Sequence, residues 1–311
     1  MIQVDEAGTR KALAWDKLVE ALGNVFRDGC ESPPRQHLFI DVPDEPQAKF
    51  MLMPAWRVGE YIAVKLVNVF PGNSERGMPS VNGAVILFSG KTGEVLAQID
   101  GGELTSRRTA GASALAASYL ARQDAKRMVM VGAGRVAENL IPAHSSVRPI
   151  EQVTIWNRTH GNALKLAEKM SAAGFNVEAS EDLESAVREA DLVSAATLAV
   201  DPLIRGEWLK PGTHVDLVGS FSTDVRESDD EVIRRATVFC DTREGAPVSS
   251  GDLAGPIAAG MLTADDIPDL FDLARGNHPG RTSHDEITVF KSVGASLEDF
   301  AAAVLVYEQV K

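Results

Sequence analysis

The sequence predicts an α/β fold built on a doubly wound parallel sheet, with a smaller α+β unit ahead of it. Three observations predict it. Val129-Met130-Val131 runs directly into Gly132-Ala133-Gly134-Arg135-Val136-Ala137, a strand, a glycine turn and a helix start in succession. From there to Cys240, short β-branched runs alternate with stretches of helical periodicity, the rhythm of parallel strands joined by crossover helices. Before residue 100, apolar runs are separated instead by Pro, Gly, Asn and Asp, the punctuation of hairpins.

A short strand-like start and a helix over 12–22 open the chain. Ser32-Pro33-Pro34-Arg35 breaks regular structure. Strands are expected over 38–40, 49–53, 61–67 and 84–88, with a hairpin turn at Ser89-Gly90-Lys91-Thr92-Gly93, giving an antiparallel or mixed sheet. An Ala-rich helix covers 104–122. Six parallel strands are predicted over 128–131, 153–156, 175–178, 191–195, 213–217 and 237–240. Helices near 135–146, 160–172, 181–189 and 229–236 and a short turn over 203–209 separate them. Ser228-Asp229-Asp230-Glu231 has the capping-box pattern. A short helix begins at Thr263, and the last opens at Ser296-Leu297-Glu298-Asp299. Two domains result, an α+β unit over 1–115 and the doubly wound sheet over 116–294. Six strands complete that sheet, so the helix over 295–311 is expected to return to the first domain.

With 311 residues the chain exceeds the size at which one core usually keeps growing. Its net charge of −13 argues against nucleic acid and anionic membrane surfaces as partners. No apolar run approaches the ~18 residues of a membrane span, and no basic-then-apolar leader is visible. Cys30 and Cys240 lie far apart without metal-ligand spacing, so no metal site and a cytoplasmic location are expected.

The glycine turn reads as a dinucleotide site of Rossmann type. Gly132 permits the tight turn, Gly134 lets a pyrophosphate approach the backbone, and Ala137 lets the helix sit close to the sheet. Gly132, Gly134, Arg135 and Val136 are the expected phosphate contacts. The next strand ends at Asn157-Arg158-Thr159, where a carboxylate would normally hold a ribose 2′-hydroxyl. An arginine there suits a 2′-phosphate, so NADP(H) is expected over NAD(H), which remains the weaker ligand. Asn157 to Thr159 also suit a helix cap, with Thr159 as N-cap. Thr197 after the fourth strand, Val218 and Ser220 after the fifth, and Gly294 lie where such a sheet opens its crevice. Gly294 reads equally as a turn glycine.

Three basic residues in the first domain suggest a carboxylate clamp: Arg35 after Pro33-Pro34, Lys65 inside the apolar strand 61–67, and Arg108 at the start of a helix. A cation at a helix N-terminus opposes the helix dipole unless an anion is bound nearby. On pattern alone, Lys65 facing outward is an equal reading.

With Pro34-Arg35, Val64-Lys65-Leu66-Val67-Asn68, Leu104-Thr105 and Arg108-Thr109-Ala110 on the page, the chain resembles the ornithine cyclodeaminase and mu-crystallin family over nearly its whole length. Gly132-Ala133-Gly134, Ala196-Thr197, Pro202-Leu203-Ile204, Phe290-Lys291-Ser292-Val293-Gly294 and Asp299 match as well. The resemblance implies a homodimer built through the first domain. It also implies that Arg35, Lys65 and Arg108, with Thr109 beside them, bind a substrate carboxylate. Where cyclodeaminases carry Gly-Gly-Asp-Cys-Pro-Gly-Lys-Thr-Glu, this chain reads Gly219-Ser220-Phe221-Ser222-Thr223-Asp224-Val225-Arg226-Glu227. Phe221 stands at the catalytic aspartate position and offers an apolar wall, so cyclodeaminase activity is disfavoured. Asp224 is expected to cap a helix or face solvent.

The pattern is closer to the family's Δ1-pyrroline-2-carboxylate and Δ1-piperideine-2-carboxylate (ketimine) reductases. The expected reaction is NADPH-dependent reduction of a cyclic 2-imino acid to L-proline or L-pipecolate. Arg35 and Arg108 hold the carboxylate and Lys65, its pKa lowered by burial and its arginine neighbours, assists the proton. An alanine dehydrogenase of the same fold would use the same clamp. A mu-crystallin-like protein that binds NADPH and a ligand without turnover is the alternative of another class.

Overall fold

The computed structural model describes residues 1–311, the side chain of Ser74 excepted. The chain divides into two compact units, Met1–Arg108 with Ala295–Lys311, and Thr109–Gly294. No helix among the described residues is long and apolar enough to cross a membrane.

The first unit comprises β1 (Ile2–Val4), α1 (Glu6–Ala12), α2 (Trp15–Asp28), β2 (Gln36–Ile40), β3 (Ala48–Trp56), β4 (Tyr61–Val69), β5 (Val81–Ser89), β6 (Val95–Asp100) and the C-terminal helix, Ser296–Val310. The sheet order is β1-β6-β5-β4-β3-β2, antiparallel apart from the β1–β6 pair. The C-terminal helix packs on α2 and across β3 and β4. Strand alternation then decides which side chains lie beneath it. Ala63, Lys65 and Val67 of β4 are buried, as are their partners Ala55 and Met53 on β3 and Leu87 and Val85 on β5. The opposite face carries Leu52, Trp56, Ile62, Val64, Leu66 and Ile86, all apolar and half-buried.

Three expectations for this unit are corrected. The helix over 12–22 is two helices that break at Leu13-Ala14. Leu13 is buried, its carbonyl accepts from Arg107 Nε (3.0 Å) and Nη2 (2.7 Å), and Ala14 is extended at ψ 142. The guanidinium of Arg107 also lies 4.0 Å from the Trp15 ring centroid, so tertiary partners override the local periodicity. The β6 strand was not anticipated; it is the second arm of the predicted hairpin. The helix expected over 104–122 is α3 (Gly101–Leu120), opened by the Asp100 carboxylate accepting the Glu103 N–H at 2.7 Å. Arg108 is therefore two turns inside α3 rather than at its start, and the dipole argument for an anion beside it fails.

The second unit carries β7 (Arg127–Val131), α4 (Arg135–Val147), β8 (Gln152–Trp156), α5 (His160–Ala172), β9 (Val177–Ser180), α6 (Leu183–Glu189), β10 (Leu192–Ala195) and β11 (His214–Leu217). Then come α7 (Asp230–Arg235), β12 (Ala236–Cys240), α8 (Ala246–Ser249), α9 (Gly251–Ala258), α10 (Leu270–Arg275) and β13 (Ile287–Lys291). All strands are parallel, in the order β12-β13-β11-β10-β7-β8-β9. Those in the middle are buried along their length apart from Arg127 at the start of β7, and so their residues do not alternate. The sheet has seven strands, not six: β13 inserts between β12 and β11. The capping box at Ser228 is also corrected. Asp229 is the N-cap of α7, accepting from Val232 N–H at 3.1 Å, while Ser228 turns to Asp252.

Candidate active site

In the first unit the cations meet two carboxylates. Lys65 is 2% exposed, and its Nζ lies 2.8 Å from both Oδ1 and Oδ2 of Asp299. Arg108 donates from Nε to Asp299 Oδ1 at 2.8 Å and from Nη1 to Glu298 Oε2 at 2.7 Å. Glu298 and Asp299 are buried in the first turn of the C-terminal helix, where the backbone N–H groups favour negative charge. The outward-facing reading of Lys65 is thus ruled out by the register that puts it under this helix.

Arg35 is half-buried in the loop before β2 and near enough to depress the Lys65 ammonium. Burial is the largest cause lowering the Lys65 pKa to about 8; Arg108 adds to it, Asp299 opposes it, and Arg35 contributes last. Burial likewise works against the Arg108 charge, but Asp299 and Glu298 outweigh it and hold its pKa above the ordinary value. Lys65 and Arg108 thus meet two buried carboxylates with Arg35 nearby, a group of cations that suits an incoming anion. Both groups keep donors for it. The three N–H bonds of Lys65 outnumber the two oxygens of Asp299, and Arg108 uses Nε and Nη1 but not Nη2 on its carboxylates. Thr109 follows on α3, half-buried.

In the second unit the glycine turn has the shape a dinucleotide needs. Gly132 sits at φ 115, and a Cβ there would lie 2.6 Å from the Ala196 carbonyl oxygen. Its N–H binds the Trp156 carbonyl at 2.8 Å, which ties the turn to β8. Gly134 is the N-cap of α4, its side is open, and a Cβ added there meets nothing within 4 Å. The backbone is thus exposed where a phosphate would approach. Ala137 is fully buried, and His144 Nε2, 3.1 Å from Asp216 Oδ2 of β11, pins the far end of α4. The residues present fit a nicotinamide dinucleotide. Arg135 is exposed and Val136 half-buried on the first turn of α4.

Arg158 and Thr159 are exposed beyond β8, next to the end of β7. Thr159 is the N-cap of α5 without a side-chain cap bond, and Asn157 Nδ2 donates to the Thr159 carbonyl at 3.0 Å. Thr197 follows β10, and its N–H and hydroxyl are both engaged by Glu227. Val218 and Ser220 are buried after β11, the Ser220 hydroxyl bonding to the Val225 carbonyl and to Ser250. Gly294, at φ 77, donates its N–H to Asp241. Phe221 is 59% exposed, and Asp224 takes the Ser222 hydroxyl in a fully exposed position.

Sequence reasoning missed Glu298, Glu227, Asp252 and Lys291. Glu298 stood in plain view beside Asp299, but only as part of the opening of the last helix. Lys291 lay in a quoted motif without being recognised as the end of a strand.

The sequence profile of the ornithine cyclodeaminase/mu-crystallin family matches residues 3–311. Delta(1)-pyrroline-2-carboxylate reductase of Paracoccus denitrificans is 41% identical over 295 residues, covering 94% of this chain and 91% of that protein. Among solved structures, Thermococcus litoralis Delta(1)-pyrroline-2-carboxylate reductase in complex with NADH and L-proline has a TM-score of 0.91 at 32% identity, covering 99% and 97% of the two chains. An archaeal alanine dehydrogenase dimer with bound NAD gives 0.89 at 28% identity, covering 99% and 95%.

Proposed function

The chain belongs to the ornithine cyclodeaminase/mu-crystallin family, and from that premise we propose that it reduces cyclic 2-imino acids, Δ1-pyrroline-2-carboxylate to L-proline and Δ1-piperideine-2-carboxylate to L-pipecolate. The observation that carries this reading is the buried group of Lys65, Arg108, Glu298 and Asp299, with Arg35 beside it. Two similar proteins support it: the Paracoccus denitrificans reductase by sequence, and the Thermococcus litoralis reductase, which holds NADH and L-proline.

Arg35 and Arg108 Nη2 hold the substrate carboxylate and so fix the ring; Thr109 lies alongside. A nicotinamide nucleotide, when bound, supplies the hydride that reaches C2. Lys65 gives a proton to the ring nitrogen, so that hydride and proton together saturate the C=N bond. The resulting neutral amine of Lys65 stays hydrogen-bonded to Asp299 and is reprotonated from solvent. A pKa near 8 keeps most Lys65 protonated at neutral pH while easing its release. Phe221, standing where cyclodeaminases carry an aspartate, supplies no carboxylate for a second amine, which disfavours ornithine.

Gly132, Gly134, Arg135 and Val136 would hold the pyrophosphate, Asn157, Arg158 and Thr159 the adenosine ribose, and Thr197, Val218, Ser220 and Gly294 the nicotinamide end. Exposed Arg158, with no carboxylate in Asn157-Arg158-Thr159, favours NADP(H) over NAD(H). The open apolar face of the first sheet, with Leu52, Val64 and Leu66, is the proposed homodimer surface, in keeping with the dimeric relative.

The test is nucleotide oxidation with five- and six-membered 2-imino acids, comparing NADPH with NADH and using ornithine and pyruvate plus ammonia as controls. Faster turnover of a cyclic imino acid than of either control is expected. Preference for pyruvate plus ammonia would make the protein an alanine dehydrogenase, and nucleotide binding without any oxidation would make it a carrier. Lys65→Ala should abolish most turnover with nucleotide binding intact.

A further inference from the structure

The second unit holds a buried charge cluster that imine reduction, as written above, does not use. Glu227 is fully buried on the segment before α7. Its Oε1 accepts from the Thr197 N–H at 2.7 Å and the Thr197 hydroxyl at 2.9 Å, and its Oε2 accepts from the Gly219 N–H at 2.6 Å. Thr197 follows β10 and Gly219 follows β11, so one carboxylate ties together the turns after two adjacent strands. The turns are close-packed, since a Cβ at Gly219 would collide with the Thr197 backbone.

Lys291, the last residue of β13, faces this carboxylate. Its Nζ is 4.0 Å from Glu227 Oε2 and 3.6 Å from Asp252 Oδ2, and all three side chains are fully buried. Among the described residues, neither Lys291 Nζ nor Asp252 Oδ2 has a hydrogen-bond partner, so the lysine acts here as a charge and not as a donor. The other oxygen of Asp252 accepts the N–H groups of Glu227 and Ser228, both at 2.9 Å, and fixes the segment that carries Glu227. Asp241, after β12, also feels the lysine and accepts the Val293 and Gly294 N–H groups at 2.7 Å each.

The position of this cluster points to its role. β7, β8 and β9 form the half of the sheet that carries the glycine turn and the 157–159 tip. The turns after β10 and β11 belong to the other half, which in a doubly wound sheet receives the second nucleotide. We propose that Glu227 is a positioning residue for the nicotinamide end of the cofactor, its carboxylate fixing the Thr197 and Gly219 turns with Lys291 as its counter-charge. This rests on the nucleotide-dependent reading above and adds a residue that itself touches neither nucleotide nor imino acid.

Three donors converge on two oxygens, an arrangement that an ionised carboxylate satisfies fully. A proton on Glu227 removes the charge that strengthens all three bonds and that pairs with Lys291. Burial pushes the Glu227 acid up to about 7; Lys291 opposes this and Asp252 adds to it. Charged groups facing it are Lys291 from β13 and Asp252 from α9. Nucleotide affinity should therefore fall as Glu227 gains its proton.

The experiment is a titration of NADPH fluorescence against the intact protein between pH 6 and 8, for wild type, Glu227→Gln, Glu227→Asp and Lys291→Met, with circular dichroism recording folding. For wild type the dissociation constant should rise about tenfold from pH 8 to 6, the effect of one coupled proton with a midpoint near 7. Glu227→Gln should bind weakly with no dependence on pH in this range, while Glu227→Asp should keep it. In Lys291→Met the midpoint should move to higher pH. A flat wild-type profile, or a folded Glu227→Gln that keeps the wild-type slope, overturns the proposal. Those outcomes leave imine reduction standing, whereas wild-type protein that binds no nucleotide at any pH overturns both.

Discussion

Replacing Asp299 by Asn separates the proton-donating role of Lys65 from simple charge pairing. Asp299 lies 2.8 Å from Lys65 Nζ and 2.8 Å from Arg108 Nε, is 1% exposed, and is the group that raises the Lys65 pKa against burial and Arg108. Removing one partner of a buried pair costs about 3–5 kcal/mol. Asp299 is shared by two cations, so the lower end is the safer figure for Lys65. At 1.36 kcal/mol per pH unit, ~3 kcal/mol lowers the lysine by about two. A pKa of about 8 in the wild type then becomes ~6 in the variant, and at pH 7 only about a tenth of Lys65 is protonated. The assay is the pH profile of kcat with a saturating cyclic imino acid, at a temperature where the variant is folded. In the wild type kcat should fall as pH rises through about 8. In Asp299→Asn the same fall should be centred near pH ~6, with at least a ~10-fold loss at pH 7. An alkaline limb left at the wild-type position would refute the assignment of Lys65 as the acid.

Other outcomes follow from the same geometry. Gly134→Ala has a compatible backbone and open space, so it should change stability by about 1 kcal/mol or less and yet weaken nucleotide binding more than tenfold, as calorimetry would show. Gly132→Ala, at φ 115 and against Ala196, should instead lose about 1–3 kcal/mol in denaturant unfolding. Arg158→Ser should lower the NADPH-over-NADH ratio of kcat/KM by about tenfold, the worth of one charge-assisted hydrogen bond. Leu66→Glu, on the open face of the first sheet, should give a monomer in sedimentation velocity; a dimer that persists would place the interface elsewhere.

What the sequence displayed and what it hid have separate physical causes. The parallel sheet was legible because its strands are short β-branched runs between amphipathic helices, and the Gly132 turn marks its first crossover. β13 was not, because a lone strand after a long irregular stretch has no rhythm around it, and its buried lysine looks like a solvent-facing end. Arg35 and Lys65 stood out because Arg35 follows a rigid Pro-Pro pair and Lys65 interrupts an apolar strand. The pairing of Lys65 and Arg108 with Glu298 and Asp299 rests on contacts nearly two hundred residues and more apart along the chain, which no local pattern carries. The start of α3 was misplaced for a related reason: Asp100 caps it from the end of an unrecognised strand.

The placement of β13 bears on how the protein can be made. This strand fills the gap between β12 and β11 although it is the last strand in the sequence of its unit. The first unit is likewise incomplete until Glu298 and Asp299 arrive to neutralise Lys65 and Arg108. A ribosome that stalls before residue 287 therefore holds two unfinished bodies at once, one sheet missing an interior strand and the other burying bare positive charge. The second unit is complete once β13 has emerged, and the first only once the C-terminal helix follows it. A chain cut short of residue 287 should therefore be unfinished in both units, around the glycine turn and around the buried cations alike.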